Sequence, residues 1–285
     1  MNRMPLKPLH PLLGAEVQGL DLRQSTDTAL AAEVEAAMDQ YAVLVFRDQE
    51  LTEAQQMAFT RALGSIDMGL LKVLQRRSRF DEAGMMDISN VDLDSQIRAR
   101  NDPQLVTMLA NQLWHSDSSF KRPSAKYSLL LACIVPEQGG ATEFADMRAA
   151  HAALPDDRAA EIDGLVAEHS AFHSRMQLDD RQYTPEDLAK YPPVEWPVVR
   201  VHPGSHRKTL FIGAHTTRIL GWPVPEGRLL LADLLEHATQ RSFVYRHTWQ
   251  PGDLVMWDNR AVLHRGRRYD LTERRELRRS TTLDA

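Results

Sequence analysis

Short apolar runs, each closed by turn residues, limit what this chain can fold into more than any other feature. Tyr41-Ala-Val-Leu-Val-Phe46 is β-branched and apolar, and reads as a buried strand. Ser128-Leu-Leu-Leu-Ala-Cys-Ile-Val135 repeats the pattern and stops at the turn Pro136-Glu-Gln-Gly-Gly140, after which Ala141-Thr-Glu-Phe-Ala-Asp146 is another short strand. The last fifty residues alternate: Phe243 to Trp249, Asp253 to Trp257 and Arg275 to Leu283 read as strands, parted by Pro251-Gly252 and Asp258-Asn259. Val198 to His202 and Lys208 to Ile212 bracket Pro203-Gly-Ser-His-Arg207 as a hairpin. Short strands with turns at Gly14 and Gly19 are expected over 10–22.

Helices fall early and between strands. One runs from a cap at Asp27 or Thr28 to Gln40, with Leu30, Val34, Ala37 and Met38 at helical spacing. Thr52 with Gln55 makes a capping box for a second, and Gly64 suits its end. Further helical patterns cover 146–153, 156–164 and 228–237. Residues 165–200 are irregular, with Pro192, Pro193 and Pro197 as breakers. From 65 to 110 the periodicity weakens, apart from a strand at Asp87 to Asp92, and this stretch reads as a binding loop or a surface excursion. With no repeat or linker, the pattern predicts one mainly β domain over 1–285, a β-sandwich or jelly roll with helical decoration.

Whole-chain numbers exclude several functions. A net charge of −5 argues against a general nucleic-acid binder. Cys133 is the only cysteine, which rules out an intrachain disulfide and a cysteine-based zinc site and fits a reducing compartment. Without a secretory signal pattern or a membrane-length apolar run, the expected location is the cytoplasm, away from membranes. Self-association into a homo-oligomer stays open.

Within Asn111-Gln-Leu-Trp-His-Ser-Asp-Ser-Ser-Phe-Lys121, His115 and Asp117 are one residue apart, so on a strand both point to one face. His264, after the strand and tight turn at Trp257-Asp-Asn-Arg260, is the distant histidine that completes a two-histidine, one-carboxylate set. Three ligands on one face leave coordination positions open, which suits Fe(II) chemistry better than a closed structural zinc site. A capping aspartate and core histidines are the plainer reading of the same residues. Seven arginines lie between His264 and Leu283, and Arg275 and Arg279 share a strand face with Leu277 between them. Guanidinium forks clamp carboxylates through paired hydrogen bonds, so these two suit a cosubstrate acid and a substrate acid. Asp270, Glu273 and Glu276 interrupt the run, against a nucleic-acid patch; a solvated edge strand accounts for several of the arginines.

Trp114-His-Ser-Asp117, Gly139-Gly-Ala-Thr-Glu143, Trp257-Asp-Asn-Arg260, His264 and the Arg275/Arg279 pair together resemble the Fe(II)/α-ketoglutarate-dependent dioxygenases of the taurine dioxygenase type. The likeness is greatest to their herbicide-degrading, aryloxyalkanoate branch and runs from Pro8 to Asp284, including Phe211-Ile-Gly-Ala-His215. It implies a double-stranded β-helix core and Fe(II) held by His115, Asp117 and His264, which carry the catalysis with α-ketoglutarate and O₂ as cosubstrates. It also implies Thr142 and Arg275 on the distal carboxylate of α-ketoglutarate, Arg279 at the acidic head of the substrate, and Asn111 near both molecules. Lys72 falls in what resembles the family's substrate lid, as an anchor or as a solvated lysine. His202 and His215 fall on strands near the site, and His215 is either a hydrogen-bond donor to the substrate or a core histidine. Leu70, Leu71, Val73, Met85 and Met86 are candidates for an apolar wall. The implied reaction hydroxylates a C–H bond beside the acidic head and splits an ether to a phenol. Open alternatives are the same chemistry on an alkylsulfonate, a small carboxylate or an amino acid, and, in other classes, a jelly-roll isomerase or hydrolase or a non-catalytic binding module.

Overall fold

The computed structural model describes residues 4–24, 28–69, 78–180 and 183–284. Its strands are β1 (Leu6–Pro8), β2 (Ala15–Val17), β3 (Val43–Phe46), β4 (Met86–Asp87), β5 (Ala125–Ile134), β6 (Thr142–Asp146), β7 (Val166–His169) and β8 (Val194–Pro197). They continue with β9 (Val199–Val201), β10 (Lys208–Leu210), β11 (Thr216–Ile219), β12 (Val244–His247), β13 (Leu254–Asp258), β14 (Val262–Gly266) and β15 (Glu276–Leu283). Seven form a sheet in the order β1-β2-β3-β13-β5-β15-β4, and β12-β6-β14 form a smaller antiparallel one. Among the described residues of the large sheet, β2 and β3 alone pair in parallel.

The continuous apolar runs are explained by burial on both faces of the large sheet. Because strand side chains alternate, Val43, Val45, Val255 and Trp257 point one way and Leu44, Phe46, Leu254 and Met256 the other. The first set meets Phe144, Tyr245 and Val262 of the small sheet, so the two sheets share a core. The second set meets Val34 and Met38 of the helix Thr28–Tyr41 and Phe59 of the helix Glu53–Ala62. Each such aliphatic or aromatic side chain contributes roughly 1.5–3 kcal/mol. A third cluster, with Ile212, Leu230 and Leu234, packs the helix Val224–Ala238 against the far side of the small sheet through Ala145 and Leu263. This architecture, mainly β with helices applied to its sheets, agrees with the jelly-roll expectation.

The capping box forms as expected: Thr52 Oγ1 accepts from Gln55 N at 3.2 Å, and Gln55 Oε1 from Thr52 N at 2.8 Å. Elsewhere the sequence misleads. Residues 165–200 hold β7 and β8, which pair with each other, and the short helices His173–Met176 and Pro185–Lys190. Their prolines mark ends of elements rather than absence of structure: Pro185 opens a helix and Pro197 closes β8. The weak stretch 65–110 contains the helix Pro103–Met108, capped by Asp102, and runs into a 3₁₀ turn at Leu109–Gln112. The strand expected over 87–92 shrinks to β4. Asp27, Leu70, Leu71, Lys72 and Val73 lie outside the described residues. Among the described residues no helix is long and apolar enough to cross a membrane.

Candidate metal centre and its two chambers

His264 lies in β14, opposite Phe144 of β6. On its other side it forms a single antiparallel bridge with His115. His115 N donates to His264 O at 3.0 Å, and His264 N to His115 O at 2.9 Å. Directly opposed residues of an antiparallel pair project to the same side, so the imidazole centroids lie only 4.1 Å apart. The expected strand through His115 and Asp117 does not form. The chain leaves β14 after the one bridge, enters a turn at Asp117, and takes a left-handed backbone at Ser118 (φ +51°). The carboxylate still reaches the imidazoles: His115 Nε2 is 3.9 Å from Asp117 Oδ1, and His264 Nε2 is 3.7 Å from Oδ2. One ligand atom from each of the three lies within 4.8 Å of the others, and all three residues are buried.

Their charge states suit a cation. Burial alone pushes the Asp117 carboxyl up, but Arg279, His264 and His115, with a hydrogen bond from Ser128, outweigh it and hold the acid well below the usual carboxylate range. Burial pushes both imidazoles down, and mutual repulsion adds to this for His264. Two neutral imidazoles and an ionised carboxylate are metal donors in their ligating forms. His115 Nδ1, 2.8 Å from Leu113 O, donates there and leaves Nε2 as the lone-pair nitrogen. His264 Nδ1 is buried without a hydrogen-bond partner among the described residues.

Two cavities flank this centre and share Ile88, Met108, Asn111, His115 and Arg279 as a common wall. The inner one, about 90 Å³, contains Thr142, His264 and Arg275. Thr142 begins β6, just past Gly139, whose left-handed backbone (φ +80°) brings it against the Arg268 carbonyl; a Cβ there would sit 2.4 Å from that oxygen. Thr142 Oγ1 accepts from Trp249 Nε1 at 3.0 Å, which leaves its own proton for a ligand. Arg275 lies just before β15, ahead of a register shift between Glu276 and Leu277. Its Nη1 donates to Ile88 O at 3.1 Å, but its buried Nε meets no acceptor among the described residues. Burial pushes this guanidinium below its ordinary pKa, so an incoming anion would relieve a desolvated charge.

The outer cavity, about 140 Å³, is lined by Met86, Phe120, Arg175, Tyr183 and His215 as well as the shared wall. Phe120 and His215 meet edge to face at 4.9 Å, and His215 lies 6.1 Å from His115 between ring centroids. His215 sits in a turn just before β11 rather than on a strand. Arg279 reaches both cavities: Nη1 donates to Asp117 Oδ1 at 2.6 Å, Nη2 contacts Met86 Sδ at 3.2 Å, and Nε is buried without a partner among the described residues. His202 also lies off the strands and lines neither cavity; it is locked to Asp258 at 3.0 Å. Met85 is buried away from both cavities, whereas its neighbour Met86 lines one. Phe120, Met108, Arg175 and Tyr183 went unnoticed in the sequence. Phe120 stood inside the ligand-bearing stretch and was there to be found; the other three come from segments with no readable pattern.

The profile of the taurine catabolism dioxygenase TauD, TfdA family matches residues 5–281. The chain belongs to that family, and so to the Fe(II)/α-ketoglutarate-dependent dioxygenases its motifs resemble. It is 57% identical over 277 residues to the α-ketoglutarate-dependent 2,4-dichlorophenoxyacetate dioxygenase of Cupriavidus pinatubonensis, covering 97% of this chain and 96% of that one. An (S)-phenoxypropionate/α-ketoglutarate dioxygenase of Sphingobium herbicidovorans is 37% identical over 278 residues, 95% of this chain and 91% of its own. Among solved structures, AAD-2 in complex with Mn(II) and N-oxalylglycine superposes with a TM-score of 0.95 at 45% identity, over 99% of this chain and 98% of that one.

Proposed function

We propose that this chain is an aryloxyalkanoate dioxygenase in which His115, Asp117 and His264 hold Fe(II), with the whole chain acting as one domain on a small acidic molecule in the cytoplasm. The observation that carries the reading is the position of the three ligands between two unlike chambers, one ending in Thr142 and Arg275, the other walled by aromatic and apolar side chains. The unpaired buried Nε of Arg275 and the free proton of Thr142 fit the distal carboxylate of α-ketoglutarate. Bound Fe(II), with α-ketoglutarate and O₂, supplies the oxidising power that hydroxylates a C–H bond while α-ketoglutarate leaves as succinate and CO₂.

The chain's own residues supply placement. Arg275 and Thr142 fix one end of the cosubstrate, which orients its keto acid toward the ligands. Arg279, already directed at the ligand set, receives the substrate carboxylate and so brings the adjacent carbon to the reacting position. Phe120, His215, Met86 and Met108 enclose an aromatic ring and exclude water. Asp87 at the cavity edge is neutralised by Arg79 at 2.7 Å, so it does not oppose an anion in the chamber. A hydroxyl placed on a carbon that also bears the ether oxygen gives a hemiacetal, which collapses to a phenol and a keto or aldehyde acid; an aryloxyacetate yields a phenol and glyoxylate. The names of the relatives support this substrate class.

The test is anaerobic addition of Fe(II) and α-ketoglutarate, which should give a weak visible charge-transfer band. An oxygenated succinate-release screen follows, over aryloxyacetates, aryloxypropionates, alkylsulfonates and amino acids. Fastest release with an aryloxy acid supports the reading. A band with release driven best by a sulfonate or an amino acid overturns the substrate, and absence of the band in folded protein overturns the metal centre.

A further inference from the structure

Asn259 stands just past β13 and touches Asp117 twice, once directly and once through Ser128. Its Oδ1 accepts from the backbone N–H of Asp117 at 3.0 Å and from Trp257 Nε1 at 3.1 Å. Both partners can only donate, which fixes which way the amide faces. Nδ2 therefore points to Ser128 Oγ at 3.0 Å and to the Lys126 carbonyl at 3.4 Å. An amide nitrogen has nothing to accept with, so Ser128 must accept from it. The hydroxyl's one proton is left for Asp117 Oδ2 at 2.8 Å. Thr281 Oγ1, 3.2 Å from Ser128 Oγ, is then a second donor to that hydroxyl. Ser116 Oγ adds a further tie by donating to the Asn259 backbone carbonyl at 2.8 Å. Asn259, Ser128, Thr281 and Asp117 are all buried.

We propose that Asn259 is the positioning residue of the carboxylate ligand: it directs the Ser128 proton at Asp117 Oδ2 and holds the Asp117 backbone, so the carboxylate is oriented before a metal arrives. This rests on the reading of Asp117 as a ligand. The backbone hydrogen bond from Asn259 N to Lys126 O at 2.9 Å ties the device to the large sheet rather than to a loop. Groups behind a metal's ligands set ligand orientation and strength, and losing one typically costs about 10–100-fold in metal affinity.

Two substitutions test the idea by opposite routes. Asn259→Leu keeps the volume but removes both the Oδ1 acceptor and the Nδ2 donor, so neither the Asp117 backbone nor the direction of the Ser128 proton is held. Ser128→Ala removes the proton and leaves Asn259 intact. Each variant is titrated anaerobically with Fe(II) in the presence of α-ketoglutarate, following the charge-transfer band, with circular dichroism and a urea midpoint on the same preparation. Both should raise the apparent Kd for Fe(II) by about 10–100-fold. At saturating metal both should also shift the band maximum, because the carboxylate donor has changed. A merely structural role would lower the amplitude in step with the folded fraction and leave the maximum in place, and that result overturns the proposal. So does a Kd within about threefold of wild type for Asn259→Leu, whatever Ser128→Ala does. Wild-type protein that gives no band fails the metal-centre reading instead, so the two failures are told apart.

Discussion

The two chambers beside His115 are built from different materials. The groups assigned to the cosubstrate in the inner one sit on or beside strands: Thr142 heads β6 between β12 and β14, next to His264 within β14, and Arg275 leads into β15. The outer one adds to β4, Arg279 and the shared helix and 3₁₀ turn two connections of its own, the turn carrying Ser118 and Phe120 and the segment holding Arg175 and Tyr183. Paired strands hold side chains to a fraction of an ångström, while connections vary without disturbing the sheets. A reaction that always consumes the same cosubstrate suits the first material, and a variable organic acid suits the second.

The contrast can be broken or sharpened by experiment. The largest effect is expected from replacing His264, which faces the inner chamber: His264→Ala should abolish the charge-transfer band and succinate release together, and substantial turnover would remove the metal centre from the comparison. Next, Arg275→Gln should raise the KM for α-ketoglutarate by roughly 100-fold, as expected when a buried charge-assisted pair is lost. Steady-state kinetics should leave the KM for an aryloxyacetate within a few-fold, and equal changes in both constants would merge the chambers. Phe120→Ala should do the reverse, raising the substrate KM by about tenfold through lost ring contact while the α-ketoglutarate KM holds.

The smallest effect concerns acid. Burial pushes the His169 imidazole, in β7 behind the outer chamber, from 6.5 down to about 3. The unfolded chain binds a proton in that window that the folded chain refuses. The stability tied to a neutral His169 is therefore complete above pH 6.5 and drains as the pH falls from there toward 3, by at most about 1.4 kcal/mol per pH unit. Urea midpoints between pH 7.5 and 4.5 should fall, and His169→Asn should flatten the slope. Amide protection factors, which correct for the slower intrinsic exchange in acid, should fall at the lower pH in β7 and β11 before β6 and β14; the opposite order would reverse which chamber is the softer.

Legibility in the sequence follows the same division. Val43 to Phe46 and Leu254 to Asp258 announce themselves because strands buried on both faces need unbroken apolar runs. His115, Asp117 and His264, which the structure brings together, were legible as a pattern of donor types although the strand assumed for the first two is a bridge and a turn. Thr142, Arg275 and Arg279 were found through motif resemblance and the i, i+4 spacing of the arginines. Arg175 and Tyr183 were not, because their positions depend on how β7 and β8 fold back over the core. No local periodicity encodes that return path: His173–Met176 is one turn of helix, too short to print a pattern. Even Arg279 is only half legible, since nothing in its neighbours announces the hydrogen bond it makes to Asp117.

The backbone bridge between His115 and His264 has a consequence in time. These residues come from distant parts of the chain, and their rings face each other only once the small sheet has closed and the loop before β5 has docked on it. A chain still searching for its fold offers no such pair, so an ion held by the proposed ligands would enter a finished cage rather than template one. Fe(II) should therefore leave the refolding rate unchanged and act wholly on escape from the native state, prolonging its lifetime in denaturant.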